Sequence, residues 1–217
     1  MNATLHYEIR KPANIQSGKQ YPALFLIHGM GSNEQDLLPL THGLEESCFV
    51  FSIRGPIDQP PGYAFFTIEG FGKPHRSSFD EAISKLIQFI DYTCEEYPIE
   101  SDKLYLMGFS QGAILSMSLG LVLGDKRVKG IAALSGYIPE IVKKDYDKKP
   151  VGEISIFISH GEQDPALPFT WAPESVRVYS EMGANVTFRK YQAGHTVTQE
   201  NYQDLRKWFQ EYTEIGN

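Results

Sequence analysis

The chain has 217 residues and 41% hydrophobic content, with 20 Lys and Arg against 27 Asp and Glu for a net charge of −7. That size suits one globular domain over residues 1–217 with a sizeable core. The acidic balance supplies no field to gather a phosphate backbone or an anionic lipid surface, which excludes nucleic acid and acidic membranes as partners. No apolar run approaches the ~20 residues of a bilayer span, and no charged start leads into an apolar leader, so the expected location is the cytoplasm without membrane insertion. Two widely separated cysteines, Cys48 and Cys94, fit a reducing compartment.

In chain order, "TLHYEIR" (4–10) reads as an antiparallel edge strand, and "PALFLIH" (22–28) and "CFVFSI" (48–53) as strands buried on both faces. A long Gly/Pro/aromatic connection (55–77) follows and is a candidate pocket wall. Phe79, Ala82, Ile83, Leu86 and Ile90 then recur at helical spacing, with Ser78-x-x-Glu81 in the form of a capping box and Pro98 beyond the end. "KLYLMGF" (103–109) is a strand, "AILSMSLGLVL" (113–123) a helix apolar on every side, and "GIAALS" (130–135) another strand. The lysine-rich stretch 139–153 reads as a solvated surface excursion. "ISIFISH" (154–160) and "VTFRKY" (186–191) complete the strands, separated by a helix bracketed by Pro173 and Gly183. Tyr202, Leu205, Trp208, Phe209 and Tyr212 stripe a last helix. Such alternation predicts an α/β fold with a mainly parallel sheet and helices on both faces.

The chemistry enters at "GFSQGA" (108–113), where Gly-x-Ser-x-Gly lies between an apolar strand and a buried helix. A strand-to-helix elbow forces its serine into a strained backbone conformation with the hydroxyl exposed, and glycines two places before and after clear the neighbouring strand and helix. Ser110 is therefore the candidate nucleophile. A serine hydroxyl needs a base, and the base an orienting carboxylate; with this elbow both follow the serine in the chain. Only His160 and His195 qualify as base. His195 lies in the turn before the last helix. His160 ends a strand four residues before Asp164, so the assignment is Asp164 as orienter, His195 as base and His160 as a structural residue of the acid turn. "LIHGMGSNEQDLLPL" supplies a glycine turn after the first parallel strand, where the Met30 N–H joins the Gln111 N–H as oxyanion donors and His28 is scaffold. Phe65, Phe66 and Phe71 in the long connection are expected to line an apolar acyl pocket. No cluster has metal spacing and no dinucleotide fingerprint follows a strand, so neither metal nor other cofactor is expected.

"LIHGMGSNEQDLLPL", "MGFSQGA", "SHGEQDPALPF" and "AGHTVTQEN" resemble the four signature blocks of the phospholipase/carboxylesterase family of α/β hydrolases, in family order and over nearly the whole chain. The resemblance implies an α/β-hydrolase fold without a large cap domain, a Ser110–His195–Asp164 triad, Met30 and Gln111 at the oxyanion hole, and a carboxylesterase acting on small to medium acyl esters, or thioesters, as small-molecule partners. The family comparison extends to "RGPIDQPPGYAFF" but not to "TIEGFGKPHRS", which leaves the substrate open. A dienelactone-hydrolase-like enzyme and a binding protein on a hydrolase scaffold are the alternatives, and the assembly, homodimer included, is also left open.

Overall fold

The computed structural model describes residues 3–216. Its strands and helices in chain order are β1 Tyr7–Arg10, β2 Tyr21–Ile27, β3 Phe49–Ile53, β4 Ile57–Gln59, β5 Gly62–Ala64, β6 Ile68–Gly70, β7 Lys73–Pro74, α1 Arg76–Glu96, β8 Ile99–Phe109, α2 Gln111–Leu123, β9 Val128–Leu134, α3 Glu140–Asp145, β10 Ser155–Gly161, α4 Trp171–Glu181, β11 Asn185–Tyr191 and α5 Gln199–Tyr212. Seven strands form one sheet in the order β1-β3-β2-β8-β9-β10-β11, parallel except for β1, which pairs antiparallel with β3 at the edge. This is the α/β-hydrolase arrangement, with no large cap on the sheet among the described residues.

The period-two alternation of strand side chains divides the core into two layers. Phe25, Phe51, Leu106, Ile131 and Ile156 face α1, α2 and α4, where they meet Phe89, Leu115 and Tyr179. Leu24, Leu26, Met107, Ala132 and Phe157 face the opposite way, against Leu205, Trp208 and Phe209 of α5. α2 buries every residue except Val122, which explains why its sequence lacks a polar face.

Two local expectations are corrected. Ser78 does not cap α1: the helix begins at Arg76 with His75 at the N-cap position. Ser78 Oγ instead accepts from the Thr67 N–H at 3.1 Å and donates to the His75 carbonyl at 3.2 Å, tying the preceding connection to the helix. Residues 139–153 are not a fully solvated excursion, because α3 lies within them and Val142 and Val151 are fully buried. Their lysine content hid these two apolar anchors. The β2–β3 crossover carries only 3-10 turns, Leu38–Thr41 and Leu44–Glu46. The long connection after β3 is built of two small hairpins, β4–β5 and β6–β7.

Candidate active site

β8 ends in the middle of the sheet and turns directly into α2, with Ser110 at the turn. Its φ of 54° and ψ of −115° place a non-glycine residue in the left-handed half of backbone space, a strain of about 1–3 kcal/mol that surrounding contacts must hold. The Ser110 N–H donates to the Leu134 carbonyl of β9 at 2.9 Å, and the Ile114 N–H to the Ser110 carbonyl at 3.1 Å. The flanking glycines are required by space. A Cβ on Gly108 would lie 2.2 Å from the Gly112 backbone, and one on Gly112 would lie 1.7 Å from the Ile27 carbonyl oxygen of β2.

The structure brings Ser110, His195 and Asp164 into one hydrogen-bonded chain. His195 Nε2 is 2.8 Å from Ser110 Oγ and its Nδ1 is 2.6 Å from Asp164 Oδ2. The other Asp164 oxygen accepts from the amides of Ala166 at 2.8 Å and Leu167 at 2.9 Å. Burial pushes the Asp164 carboxyl up, but the His195 bond and these two amides outweigh it and hold it below the ordinary carboxylate range. An ionised Asp164 accepts Nδ1–H, which leaves the Nε2 lone pair facing the serine hydroxyl. The imidazole also packs on Phe109, with ring centroids 4.8 Å apart.

The acid and histidine loops reach each other because β10 and β11 are parallel neighbours ending at the same sheet edge. Their backbones touch: a Cβ on Gly161 would lie 2.3 Å from the carbonyl oxygens of Ala193 and Gly194. His160 sits beneath this turn, donating from Nε2 to the Leu167 carbonyl at 2.9 Å and standing 3.4 Å from Asp164 Oδ2. Burial lowers its pKa and keeps it neutral.

On the other side of Ser110 runs the turn after β2. A Cβ on Gly29 would stand 3.3 Å from that of Ser110. Among the described residues, neither the Met30 nor the Gln111 N–H has a hydrogen-bond acceptor, so both are available to an anionic oxygen. The turn is braced from below. His28, whose pKa burial lowers, donates from Nδ1 to the Gly29 carbonyl at 2.7 Å and accepts the Gly55 N–H at Nε2, 3.0 Å away. Tyr63 of β5 exchanges backbone bonds with Gly31 and Ser32 at 2.8 and 2.7 Å. Arg54 lies over the Tyr63 ring and binds both carboxylate oxygens of buried Glu34, one through Nε at 2.6 Å.

Two features escaped the sequence. The Gln111 side chain, in the first turn of α2, accepts the Phe65 N–H at 2.6 Å and donates to the Phe66 carbonyl at 2.8 Å. A lone amide opening an otherwise apolar helix was the available signal. That clamp draws the segment inward, which corrects the expectation for its rings: Phe65 and Phe66 are each 1% exposed, packed on His28 and Phe79 respectively. Phe71 is 61% exposed, its ring centroid 5.2 Å from that of Trp171. With Tyr137 and Ile138 these two line a cleft of about 420 Å³.

The His/carboxylate group with ligand atoms within 4.8 Å of one another, among the described residues, is His6, Glu8 and Glu34, and Arg54 already occupies both Glu34 oxygens. No helix among the described residues is long and apolar enough to cross a membrane.

The family model described as Phospholipase/Carboxylesterase matches residues 11–213. The chain is similar to acyl-protein thioesterase 1 of Candida albicans, 28% identical with 95% of this chain and 97% of the relative covered. Among solved structures it is similar to the carboxylesterase of Bacillus cereus, with a TM-score of 0.85, 25% identity and coverage of 97% of this chain and 96% of that one. It is also similar to a carboxylesterase from Mesorhizobium loti, with a TM-score of 0.77, 25% identity and coverage of 89% and 91%.

The buried Glu34 carries a pH dependence of its own. The bond to Arg54 overrides its burial and holds its carboxyl down at about 2, against 4.5 unfolded. A depressed folded-state pKa contributes stability above pH 4.5 that is lost progressively as pH falls toward 2. Between pH 7 and about pH 3 the wild type is expected to lose about 2 kcal/mol more unfolding free energy than Glu34→Gln, measured by urea titration. Parallel pH profiles for the two proteins would disprove it.

Proposed function

The chain belongs to the phospholipase/carboxylesterase family of α/β hydrolases, and from that membership we propose that it is a serine carboxylesterase hydrolysing small to medium acyl esters, and thioesters of the same acyl groups, through Ser110, His195 and Asp164. The observation that carries this reading is the continuous Ser110–His195–Asp164 hydrogen-bonded chain built on a strained elbow. His195 Nε2 takes the hydroxyl proton as Ser110 Oγ attacks the acyl carbon, and ionised Asp164 stabilises the imidazolium that results. The Met30 and Gln111 amides, with the N-terminus of α2 behind them, stabilise the oxyanion. The imidazolium returns its proton to the leaving oxygen or sulfur as that bond breaks. Water then attacks the acyl-serine, with His195 again as base, and releases the carboxylic acid.

The acyl chain occupies the cleft of Phe71, Tyr137, Ile138 and Trp171 in this proposal. Support comes from the chain positions of its walls: Tyr137 and Ile138 follow the C-terminal end of β9, and Gly136, just before them, packs so closely on the first turn of α2 that a Cβ would meet that of Ala113 at 2.6 Å. A pocket with such walls favours burial of methylenes until it is full.

Ser110→Ala should abolish ester hydrolysis, followed with a chromogenic butyrate ester, while circular dichroism and melting stay close to wild type. Retained turnover would remove Ser110 from the mechanism. Asp164→Asn keeps the shape but permits the wrong imidazole tautomer, a change worth on the order of 10⁴ in kcat in chymotrypsin-type enzymes; a loss below about tenfold would place the orienting group elsewhere. For acyl length, burial at about 0.8 kcal/mol per methylene predicts kcat/KM rising from acetate through butyrate to hexanoate and then levelling. Phe71→Ala and Trp171→Ala should flatten that series more than they lower acetate hydrolysis. An unchanged slope in both variants would move the acyl site to another wall.

A further inference from the structure

A second depression, of about 270 Å³, shares no residue with the proposed acyl cleft and includes His195 in its wall, with Leu37, Leu40, Phe109 and Val197 as its apolar lining and Asp36 beside them. It continues past Leu40 and Val197 into a neighbouring hollow of about 250 Å³ that ends at Tyr202. The two share those residues, so they form one groove. Leu37 is buried, Leu40, Phe109 and Val197 are half-buried, and Asp36 is exposed. Neither hollow has a lysine or arginine in its wall.

The chemistry of the triad says what enters. During acylation the imidazolium Nε2–H must hand its proton to the departing oxygen or sulfur, so the leaving group has to lie against the imidazole and away from the two oxyanion amides. The groove with the imidazole in its wall is the surface that meets this requirement. We infer that the groove of Leu37, Leu40, Phe109 and Val197 is the leaving-group subsite, and that it takes alcohols or thiols with an apolar body that are uncharged or cationic. This rests on the triad reading above.

Its selectivity has two separable origins. Apolar walls favour longer hydrocarbon in the alcohol, independently of the acyl chain. Asp36, in a wall without a cation, attracts a positive charge and repels a negative one, an exposed interaction that is modest and weakened by salt. Neither effect is expected of an acyl pocket, because the leaving group departs before deacylation.

The test holds the acyl group fixed as butyrate and varies the alcohol, with kcat/KM measured at low ionic strength so that acylation alone is compared. Methyl and hexyl butyrate report the apolar wall. Butyrylcholine, its uncharged isostere 3,3-dimethylbutyl butyrate and the anionic 3-sulfopropyl butyrate report the charge. Wild type should prefer hexyl over methyl at least about fivefold, and choline over sulfopropyl by a similar factor. Leu40→Ser should cut the hexyl preference about threefold or more, and Asp36→Lys, at an exposed position that does not threaten folding, should lower the choline-to-sulfopropyl ratio at least threefold. If either ratio stays at its wild-type value in its variant, the groove is not the leaving-group subsite. Labelling of wild-type Ser110 by a fluorophosphonate separates the two levels: a folded but unlabelled enzyme that turns over none of the esters overturns the triad reading and this inference with it, whereas labelled enzyme with unmoved ratios overturns the inference alone.

Discussion

The backbone of Ser110 is the constraint on which the rest of the molecule turns. A side chain at φ 54° persists only where its surroundings overdetermine it, and here three elements do so together. β9 accepts its amide through Leu134, α2 starts on its carbonyl through Ile114, and β2 comes so near that only glycine fits at 112. The pairing of β2 with β8 at the sheet centre thereby also fixes the distance from Ser110 to the Gly29–Met30 turn. The cost of the strain is carried by the best-buried helix in the protein, whose apolar circumference leaves it no alternative partner.

Gln111 connects that elbow to the most irregular part of the chain. Its backbone amide stands free beside Ser110 while its side chain satisfies both polar groups offered by Phe65 and Phe66. A buried amide is costly without partners and rigidifying with them, so one residue fixes the floor of the connection between β3 and α1. The result is that Phe65 and Phe66 become core between two exposed stretches, the β4–β5 turn before them and the β6–β7 hairpin after them, which presents Phe71 to Trp171.

Much of this was legible from spacing alone. Strands buried on both faces reveal themselves by unbroken apolar runs, and each of the six parallel strands lies within a few residues of its expected position. Gly108 and Gly112 could be read as clearances because so few other reasons exist for glycine at those offsets from a serine. Chain order and loop position singled out Asp164 and His195, which the structure joins by hydrogen bonds to each other and to Ser110. What was illegible depended on direction rather than identity. Nothing in "AFF" says which way its rings turn, since the deciding contact comes from Gln111, 45 residues beyond Phe66. Ser78 could cap a helix by pattern, but the Thr67 amide competes for the same oxygen. The valines of 139–153 were masked by the lysines around them in the sequence, yet both join the core while Lys143 pairs with Glu140 and Glu174.

The three histidines of the region show why residue type alone does not assign chemistry. His28 and His160 are both neutral by burial, and each spends a ring nitrogen on a backbone carbonyl. Such a bond fixes the proton on one nitrogen and makes the ring a brace. At His28 the other nitrogen accepts a backbone amide; at His160 it has no partner among the described residues. His195 differs in that a carboxylate takes its proton-bearing nitrogen and a hydroxyl faces the other. His195 thus stands between a carboxylate and a hydroxyl, the arrangement that the proposed proton transfer requires. The Asp164 carboxyl is in turn held below the ordinary carboxylate range, against its burial, by the His195 bond and the Leu167 and Ala166 amides of its own turn.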